Sequence, residues 1–346
     1  MKIWFDIITP KQFLFSEPFI KKLRTKHTVL CTSRKYRQVT GITDLGQTNL
    51  VYLGKHGGSE RFDKLVASLD RSKLLAKQIR KFKPDLAVSF SSPEASRVAF
   101  GLGIKHITFS DSPHATKVMK LCLPFVDKLL IPWIIPKSDF KDFGINPKNI
   151  IHYKTIDAAV ITKRRSIQKD NHIRKEQKTI LIRPEEEEAA YVSKQSGLID
   201  IIEKIIKNFP DSKKLVLTRY KNQTNFFKKK FPTDIQIISK VVDGKKMLLN
   251  SDVFIGSGGT MTAESALLGI PTISYNAVPN RIEKYLVTKK LVSRCMTPNK
   301  ITKEIERIFS YSANVKLRHE EKVKRFVRTM EDPYPTLLTT IKSILK

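Results

Sequence analysis

The first half of the chain alternates short apolar runs with stretches whose apolar residues recur at helical spacing. The runs predict β-strands at 2–8, 27–33, 50–54, 85–90, 105–111 and 127–133. The helical stretches are 16–26, 61–82 and 93–103. The longest of them ends before Pro84, and its apolar set is Leu65, Leu69, Leu74, Leu75 and Ile79. Strands and helices in alternation predict a parallel sheet with crossover helices.

A charged segment without periodicity, residues 162–178, predicts a linker before a second series of the same kind. In that series we expect strands at 178–184, 213–220, 234–241, 252–257 and 271–276. We expect helices at 196–209, 244–251, 299–330 and 334–345. The sequence therefore predicts an α/β protein with two Rossmann-like, doubly wound parallel-sheet domains. A ligand would bind in the cleft between them, at the carboxyl ends of the strands.

Composition narrows the class of protein. With 346 residues, 40% of them hydrophobic, the chain is long enough for two buried cores. Cys31, Cys122 and Cys295 form no Cys-x-x-Cys pair, which argues against a disulfide framework or a zinc site and fits a reducing cytoplasm. No apolar run is long enough to span a membrane. No Asp-x-Asp motif suggests a metal-bridged pyrophosphate, so we expect neither a metal nor a cofactor.

The formal net charge of +31 is spread over the whole chain, with +19 in residues 1–180 and +12 in residues 181–346. A positive field of this kind favours polyanions, anionic membrane surfaces and phosphorylated ligands. A nucleic-acid-binding protein more often concentrates its charge on one element with interleaved aromatic residues, and no such element is present. We therefore expect no specific nucleic-acid partner. A lysine-rich solvated surface is the simpler explanation of the charge.

The segment GSGGTMTAESALLGIPTIS (256–274) predicts a strand end, a tight glycine turn and a helix. The first turn of such a helix offers unpaired N–H groups and a positive dipole end, which together suit a phosphate. Glu264, about one turn into the helix, can accept hydrogen bonds from two ribose hydroxyls. An ordinary acidic residue near a helix start remains the alternative.

Polar residues that follow other strands are further candidates. Asp111 and His114 lie three residues apart and predict either an acid–base pair or a helix cap with a first-turn histidine. His56, in a glycine turn, predicts either a base or an ordinary surface histidine. Asp6 ends the first strand and predicts either a catalytic or acceptor contact or a capping carboxylate. Acceptor or cleft contacts are expected from Gly57, Gly58, Ser92, Glu94 and Arg97.

Arg97, Arg183 and the acidic run at 185–188 are charged candidates. Arg97 lies three residues after Glu94, so a helix-surface ion pair is the structural alternative. Arg183 closes a strand, and its fork suits phosphate. Of the acidic run 185–188, we keep Glu185 as a ligand contact and expect the remainder to begin a solvated helix.

The glycine segment resembles the donor-binding signature of GT-B glycosyltransferases and of UDP-N-acetylglucosamine 2-epimerases. The whole chain is similar to domain of unknown function family 354 (DUF354), whose members are treated as predicted glycosyltransferases. The pieces that carry this resemblance are DIITP (6–10), GKHGGS (54–59), KLVASLDR (64–71), SPEASRVAFGLGI (92–104), FSDSPHA (109–115), KLCLPFVDKLLIP (120–132), IRPEEEEAAY (182–191) and VVDGKKMLLNSDVFIGSGGTM (241–261). The chain departs from the family's pattern in two places. Thr9-Pro10-Lys11-Gln12 replaces a His-Pro-x-His type of sequence, and 153–156 (YKTI) lacks the glycine of a Tyr-x-Gly.

The resemblance implies a GT-B-like fold and a metal-independent glycosyltransferase that uses a UDP-linked sugar. Residues 1–161 would bind the acceptor, 162–178 would link the domains, and 179–330 would bind the nucleotide-sugar. Residues 331–346 would form a helix that packs back on the first domain. By resemblance, Gly258, Gly259 and Thr260 would hold phosphate and Glu264 the ribose. The full set of expected donor contacts is Arg183, Gly256, Ser257, Gly258, Gly259, Thr260, Met261 and Glu264.

The base that deprotonates the acceptor would be His114 or His56, with Asp111 as an alternative base or as an orienting partner. The acceptor would be a glycan or a lipid phosphate. We expect a cytoplasmic protein, either free or peripherally bound to an anionic membrane. A 2-epimerase, a non-enzymatic polyanion binder and a sugar-nucleotide sensor are the alternative functions.

Overall fold

A computed structural model describes residues 1–35, 48–58, 60–164, 177–186, 197–275 and 277–345. Most of the predicted linker lies outside these residues. The chain divides into two compact units. The first contains Met1–Asp157 and the C-terminal segment Glu331–Lys346, and the second contains most of the chain between them.

The first unit is built on a 7-stranded parallel sheet with the strand order β3-β2-β1-β4-β5-β6-β7. Its strands are β1 (Lys2–Asp6), β2 (Thr28–Lys35), β3 (Val51–Lys55), β4 (Leu86–Phe90), β5 (Lys105–Phe109), β6 (Lys128–Pro132) and β7 (Ile150–Tyr153). The helices described between them are α1 (Pro10–Arg24), α2 (Arg61–Phe82), α3 (Pro93–Gly101) and α4 (Thr116–Cys122), followed by α5 (Asp157–Thr162) at the boundary of the unit. The six strands predicted for this half are confirmed.

Side chains that alternate along the strands build a core on each face of this sheet. Trp4 packs with Leu75, Ile79 and Val98, from α2 and α3. Elsewhere in the unit, aromatic rings from α1 and the strands meet, and Phe15 lies edge-on to the Phe109 ring at 5.1 Å between centroids. Because both faces are covered, the strands are nearly continuous apolar runs, as in other doubly wound sheets.

The C-terminal segment packs against the rest of the first unit. Its helix, α13 (Tyr334–Ile344), begins with Tyr334, whose ring stacks on Phe19 of α1 at 6.2 Å. Before the helix, Asp332 lies 2.6 Å from the Lys22 ammonium, and the Glu331 N–H donates to the Lys154 carbonyl at 2.9 Å. These contacts join the end of the chain to its beginning within one unit.

The second unit has a 6-stranded parallel sheet with the order β10-β9-β8-β11-β12-β13. Its strands are β8 (Thr179–Ile182), β9 (Lys213–Leu217), β10 (Gln236–Ile238), β11 (Val253–Gly256), β12 (Thr272–Ser274) and β13 (Ser293–Arg294). Its described helices are α6 (Leu198–Asn208), α7 (Lys221–Lys230), α8 (Gly244–Leu249), α9 (Thr260–Leu267), α10 (Arg281–Thr288), α11 (Pro298–Phe309) and α12 (Ala313–Arg328). Ile180 and Ile182 belong to one core cluster, and the alternating Leu181 belongs to another.

The structure differs from the sequence prediction in several elements. Strand β13 and helices α4, α5 and α10 were not predicted. Strand β7 was not predicted, because its four residues include an exposed histidine and lack a long apolar run. The helix predicted at 299–330 is two helices, because Ser312 caps the start of α12 by accepting from the Val315 N–H. Helix α1 begins earlier than predicted, since Thr9 caps it and Pro10 suits its first position. No helix within the described ranges combines the length and apolarity that a membrane crossing needs.

Candidate functional site

Each sheet has a point where its strand order changes direction. It lies between β1 and β4 in the first unit and between β8 and β11 in the second. In doubly wound sheets, ligands bind at this point, outside the carboxyl ends of the strands. The loops that leave these four strands are therefore where a site is expected.

In the second unit, the loop that follows β11 is the predicted glycine turn. A Cβ at Gly256 would lie 2.6 Å from the Phe254 ring, so no larger residue fits. Gly258 has a φ of +76°, and a Cβ there would lie 2.5 Å from the Ala277 Cβ. At Gly259 a Cβ would meet nothing within 4 Å. The first two glycines are thus required by packing and conformation, whereas the third leaves bare backbone facing open space.

Helix α9 begins directly after this turn, as predicted. Gly259 is its N-cap, and no side chain caps it, so the N–H groups of Thr260 and Met261 lie in a first turn where intrahelical partners do not exist. Such a turn is a ready site for an anion. Glu264, one turn further on, is 8% exposed and lies at the switch point with these groups. Ser257, within the turn, is half-buried.

The turn is supported by residues that the sequence interpretation missed. Asn280 caps α10 by accepting from the Glu283 N–H at 2.8 Å, and its own amide donates to the Gly258 carbonyl at 3.3 Å. Glu283 is 1% exposed and binds the Arg294 guanidinium, with Nε at 2.9 Å. An Asn-x-x-Glu capping pattern at 280–283 was the available signal for this helix start. The glycine turn is therefore held by a helix cap and by the buried Glu283, which pairs with the exposed Arg294.

Arg183 lies beside the glycine turn but also has a structural task. Its N–H donates to the Ile255 carbonyl at 2.8 Å, next to the end of β11. Its guanidinium NH1 donates to the carbonyls of Leu217 and Thr218 at 2.8 and 3.2 Å, where β9 ends. The NH1 group of the guanidinium therefore holds the carboxyl end of β9 beside that of β8.

The two described glutamates of the acidic run have different surroundings. Glu185 is buried and accepts a hydrogen bond from the Tyr275 hydroxyl at 3.0 Å, at the end of β12. Glu186 binds Arg219 at 3.1 Å and also accepts from the Tyr220 hydroxyl. Both side chains are tied to the sheet edge rather than solvated. The other two glutamates of the run lie outside the described residues.

In the first unit, the switch point is filled by a buried polar network. Asp6, 1% exposed, lies 2.6 Å from the Arg71 guanidinium, which comes from α2 and is itself 1% exposed. The hydroxyls of Ser92 and Thr32 each donate to the same carboxylate at 2.6 Å. The sequence predicts a capping carboxylate as one alternative for Asp6. This alternative is wrong, because Asp6 ends β1 inside an ion pair.

Glu94 also joins this network. Its Oε2 lies 3.4 Å from NH1 of Arg71, so the pair with Arg97 suggested by sequence spacing is replaced by one with Arg71. Arg97 is exposed and lies over the Phe125 ring at 5.7 Å. Of the predicted acceptor contacts, the structure brings Ser92 and Glu94 to the switch point beside Asp6 and places Arg97 on the surface.

A second charged cluster lies at the carboxyl edge of the same sheet, where three loops meet. The Lys11 ammonium, in the first turn of α1, forms ion pairs with Asp111 and, at 3.1 Å, with Asp157. Asp111 also accepts from the Ser112 hydroxyl at 2.8 Å, and Asp157 accepts from the Tyr153 hydroxyl. Asp157 and Tyr153 are fully buried, whereas Lys11 and Asp111 are partly exposed.

These contacts change the acidity of the cluster. Burial opposes the charge of Asp111, but the Lys11 ammonium outweighs it and lowers the pKa of this carboxyl. Burial and the negative charge of Asp111 raise the pKa of Asp157 to about 7, against the influence of Lys11. Burial lowers the pKa of His114, and the charge of Asp111 partly offsets this. His114 is therefore neutral near pH 7, as a general base must be.

The structure places Asp111 and His114 in the turn that precedes α4. Helix α4 begins at Thr116 with Ala115 as its N-cap, so Asp111 is not the cap of this helix. Asp111 pairs with Lys11 and accepts from the Ser112 hydroxyl, and its effect on His114 is electrostatic.

His56 lies in the other predicted glycine turn, between β3 and α2. Its Nδ1 accepts the Gly58 N–H at 3.0 Å, which stabilises the turn. Gly58 has a φ of +70°, and a Cβ at Gly57 would lie 2.7 Å from the Asp63 carbonyl oxygen. Both glycines are therefore required by the shape of the loop.

A family model matches the whole chain, residues 1–346, and its description is "Protein of unknown function (DUF354)". The chain belongs to this family. A relative from Methanocaldococcus jannaschii, named Uncharacterized protein MJ0665, is 30% identical over 300 residues, which are 84% of this chain and 86% of the relative.

Solved structures share the fold of this DUF354 protein. UDP-GlcNAc 2-epimerase from Neisseria meningitidis, bound to UDP-GlcNAc, has a TM-score of 0.73 at 15% identity and covers 99% of this chain and 100% of its own. The spinosyn forosaminyltransferase SpnP has a TM-score of 0.64 at 14% identity, with 100% of both chains covered. The fold is GT-B-like, with two Rossmann-like units.

The structure accounts for both departures from the DUF354 pattern. Thr9 caps α1, and Gln12 bridges the Ile8 N–H and the Phe90 carbonyl, each at 2.8 Å. Because this loop has no histidine, Lys11 is its charged residue. Among the described non-glycine residues, a positive φ occurs at Lys83, Ser91 and Lys290, so Thr155 needs no glycine.

Proposed function

We propose that this DUF354 protein is a metal-independent glycosyltransferase that transfers a sugar from a UDP-linked donor to a glycan or lipid-linked acceptor. The observation that carries the proposal is the switch point of the second unit. There, bare backbone at Gly259 and the uncapped start of α9 lie one helical turn from the buried Glu264. The first can receive a pyrophosphate and the second a ribose.

No added cation is needed at such a site. The helix dipole and the first-turn N–H groups stabilise negative charge as the nucleoside diphosphate leaves. The net charge of +31 adds a favourable field for a phosphorylated donor.

For the acceptor, we propose His114 as the base. Its lowered pKa keeps the imidazole neutral near pH 7, and the charge of Asp111 stabilises the imidazolium that forms when it takes the acceptor's proton. The acceptor hydroxyl then forms the new glycosidic bond as the bond from the sugar to the diphosphate breaks. We place this reaction in the cytoplasm.

Thermal unfolding with a panel of UDP, GDP, CDP, ADP and UDP-sugars tests the donor site. A ligand at about 100 times its dissociation constant stabilises the native state by about 2.7 kcal/mol. We expect this gain with UDP-type ligands in the wild type, its loss in Glu264→Ala and its partial return in Glu264→Gln. The exposed Glu306→Ala is the control and should behave as the wild type. Stabilisation that is equal in Glu264→Ala and the wild type would contradict the assigned ribose contact.

A sugar-nucleotide 2-epimerase is the second candidate function, and the similarity to the Neisseria meningitidis enzyme favours it. This reaction needs no acceptor. Incubation with UDP-GlcNAc alone, followed by analysis of the sugar, separates the two functions. A new UDP-sugar epimer would support the epimerase, whereas UDP release that depends on an added acceptor would support the transferase.

The charge alone favours a third interpretation, a non-enzymatic polyanion binder. Such a protein would bind RNA with a steep salt dependence and would be indifferent to Glu264. If RNA stabilises the wild type and no nucleotide does, the donor site loses its main support.

A further inference from the structure

Helix α2 of the first unit carries an apolar stripe that the core does not use. Phe62, Leu65 and Leu69 are 74%, 57% and 61% exposed. At spacings of three and four residues they lie along one side of the helix. The residues that α2 buries are Ala67, Arg71, Leu75 and Ile79, on a different side. The apolar spacing seen in the sequence thus includes two surfaces, and only one packs on the sheet.

Basic residues continue the same side of the helix towards its C-terminus. Leu65, Leu69, Lys73 and Lys77 follow one another at four-residue spacing, so they form one ridge. Lys73, Lys77 and Arg80 are all exposed. The exposed side of α2 therefore has an apolar half of about two turns followed by a basic half of similar length.

The position of α2 relates this surface to the sheet. The helix begins at Arg61, shortly after β3 ends at Lys55, so its apolar half lies at the carboxyl edge of the sheet. The switch-point residues Asp6 and Ser92 lie at the same edge. An acceptor that enters the first unit at this edge would therefore approach beside the apolar half of α2.

We propose that the Phe62 stripe (Phe62, Leu65 and Leu69) and the basic residues that follow it form a contact surface for an anionic lipid bilayer. An interfacial helix lays phenylalanine and leucine into the headgroup–acyl boundary and places lysine and arginine against anionic headgroups. Each basic residue near such a surface adds attraction that salt screens. The surface would hold the protein at the bilayer in which a lipid-linked acceptor resides, and in that respect it rests on the proposed function.

A second copy of the chain fits this surface less well. In a two-fold dimer the same patch meets itself, so Lys73, Lys77 and Arg80 would face like charges. A stripe of three side chains on one helix is also small beside the 1,200–2,000 Å² that stable interfaces bury, an order-of-magnitude range. The net charge of +31 further opposes self-association.

Flotation with vesicles tests the surface. The wild type should float with vesicles of phosphatidylcholine and phosphatidylglycerol, and less with phosphatidylcholine alone. Leu65→Ser combined with Leu69→Ser should weaken the apparent affinity by about tenfold or more, because two leucine side chains no longer insert. Both residues are exposed, so the fold should persist. The matched control replaces two exposed apolar residues elsewhere, Leu317→Ser with Met296→Ser, and should bind as the wild type.

A site-specific probe shows which residues enter the bilayer. Cys31, Cys122 and Cys295 are all buried, so an added surface cysteine can be labelled selectively with a polarity-sensitive dye. The dye on Leu69→Cys should shift to the blue with anionic vesicles, and the dye on Leu317→Cys should not. A shift at both positions, or at neither, would contradict the assigned surface.

Three other outcomes would overturn the proposal. These are a wild type that does not bind anionic vesicles, a serine double variant that binds them as well as the wild type, and a wild-type dimer that the double variant dissociates. The last would assign the surface to a second copy. Thermal unfolding with UDP on the same variants separates the two proposals. Failure of the donor site removes the UDP effect from every protein, whereas failure of this surface leaves it intact.

Discussion

In the first unit, the switch point between β1 and β4 is filled by side chains that bind one another, whereas in the second unit the switch point between β8 and β11 is lined by backbone. Asp6 accepts hydrogen bonds from Arg71 and Ser92 away from solvent. Gly256, Gly258 and Gly259 instead remove side chains from the corresponding place. The same order of the first six strands thus supports a closed network in one unit and an open glycine turn in the other.

The two switch points are therefore fixed in different ways. A buried ion pair is weak evidence for stability, because the cost of removing both charges from water offsets their attraction. It does fix the end of β1 and the start of α3 relative to the middle of α2. In the second unit, the loop is fixed by glycine packing and by Asn280, which donates to the Gly258 carbonyl.

The largest expected effect comes from breaking the closed network. Arg71→Met should lower the free energy of unfolding by about 3–5 kcal/mol, because Asp6 and Glu94 are left buried without their cation. Urea unfolding followed by circular dichroism measures this loss. Arg97→Met, on the surface of α3, is the control and should change stability by less than about 0.5 kcal/mol. Similar values for the two variants would show that the network contributes nothing specific to the fold.

Local patterns predicted much of the fold and one of the two switch points. Short apolar runs and glycine turns depend on neighbouring residues, so most of the strands and the β11–α9 turn could be recognised from the sequence. The partners of Asp6 could not be, because Arg71 lies 65 residues away and reaches it only after α2 has packed. Lys11 likewise meets Asp111 across 100 residues.

The pattern also could not predict which apolar residues of α2 are exposed. Leu65 and Leu69 have the same helical spacing as Leu75 and Ile79, yet the first pair is exposed and the second is buried. Spacing describes one side of a helix but does not say which side the sheet covers. That choice depends on the crossover geometry of β3, α2 and β4.

The second effect, of about 3 kcal/mol, is the response of a buried histidine of the first unit to acid. His106 of β5 is fully buried, binds the Ser89 hydroxyl through Nε2 at 2.9 Å, and has its pKa lowered by burial to about 4 from 6.5. The unfolded chain therefore binds a proton between pH 4 and 6.5 that the native state does not. Stability from this group is present above pH 6.5 and is lost as the pH falls towards 4.

Asp157 has the opposite sign in the same range. Its native pKa of about 7 lies above the unfolded value of 3.8, so its contribution falls as the pH rises between these values. The two slopes oppose each other in the wild type. His106→Gln should shift the slope of unfolding free energy by about −1.4 kcal/mol per pH unit, and Asp157→Asn should shift it by about +1.4. Urea unfolding at several pH values measures both slopes. Unchanged slopes would contradict the assigned pKa directions.

The smallest effects on stability test the open switch point. Gly258→Ala should cost about 2 kcal/mol, because alanine is strained at a φ of +76° and its Cβ would meet Ala277. Gly259→Ala should cost less than about 1 kcal/mol, because its Cβ would meet nothing within 4 Å. Thermal unfolding without ligand compares the two losses.

The same pair of variants then separates packing from binding. With UDP present, Gly259→Ala should lose most of the ligand-induced stabilisation despite its near-normal stability, since its new methyl group projects into the open space beside the first turn of α9. Gly258→Ala should lose it as well, through distortion of the turn. If Gly259→Ala retained the full UDP effect, the bare backbone would have no role in binding. The contrast between the two switch points would then be one of packing alone.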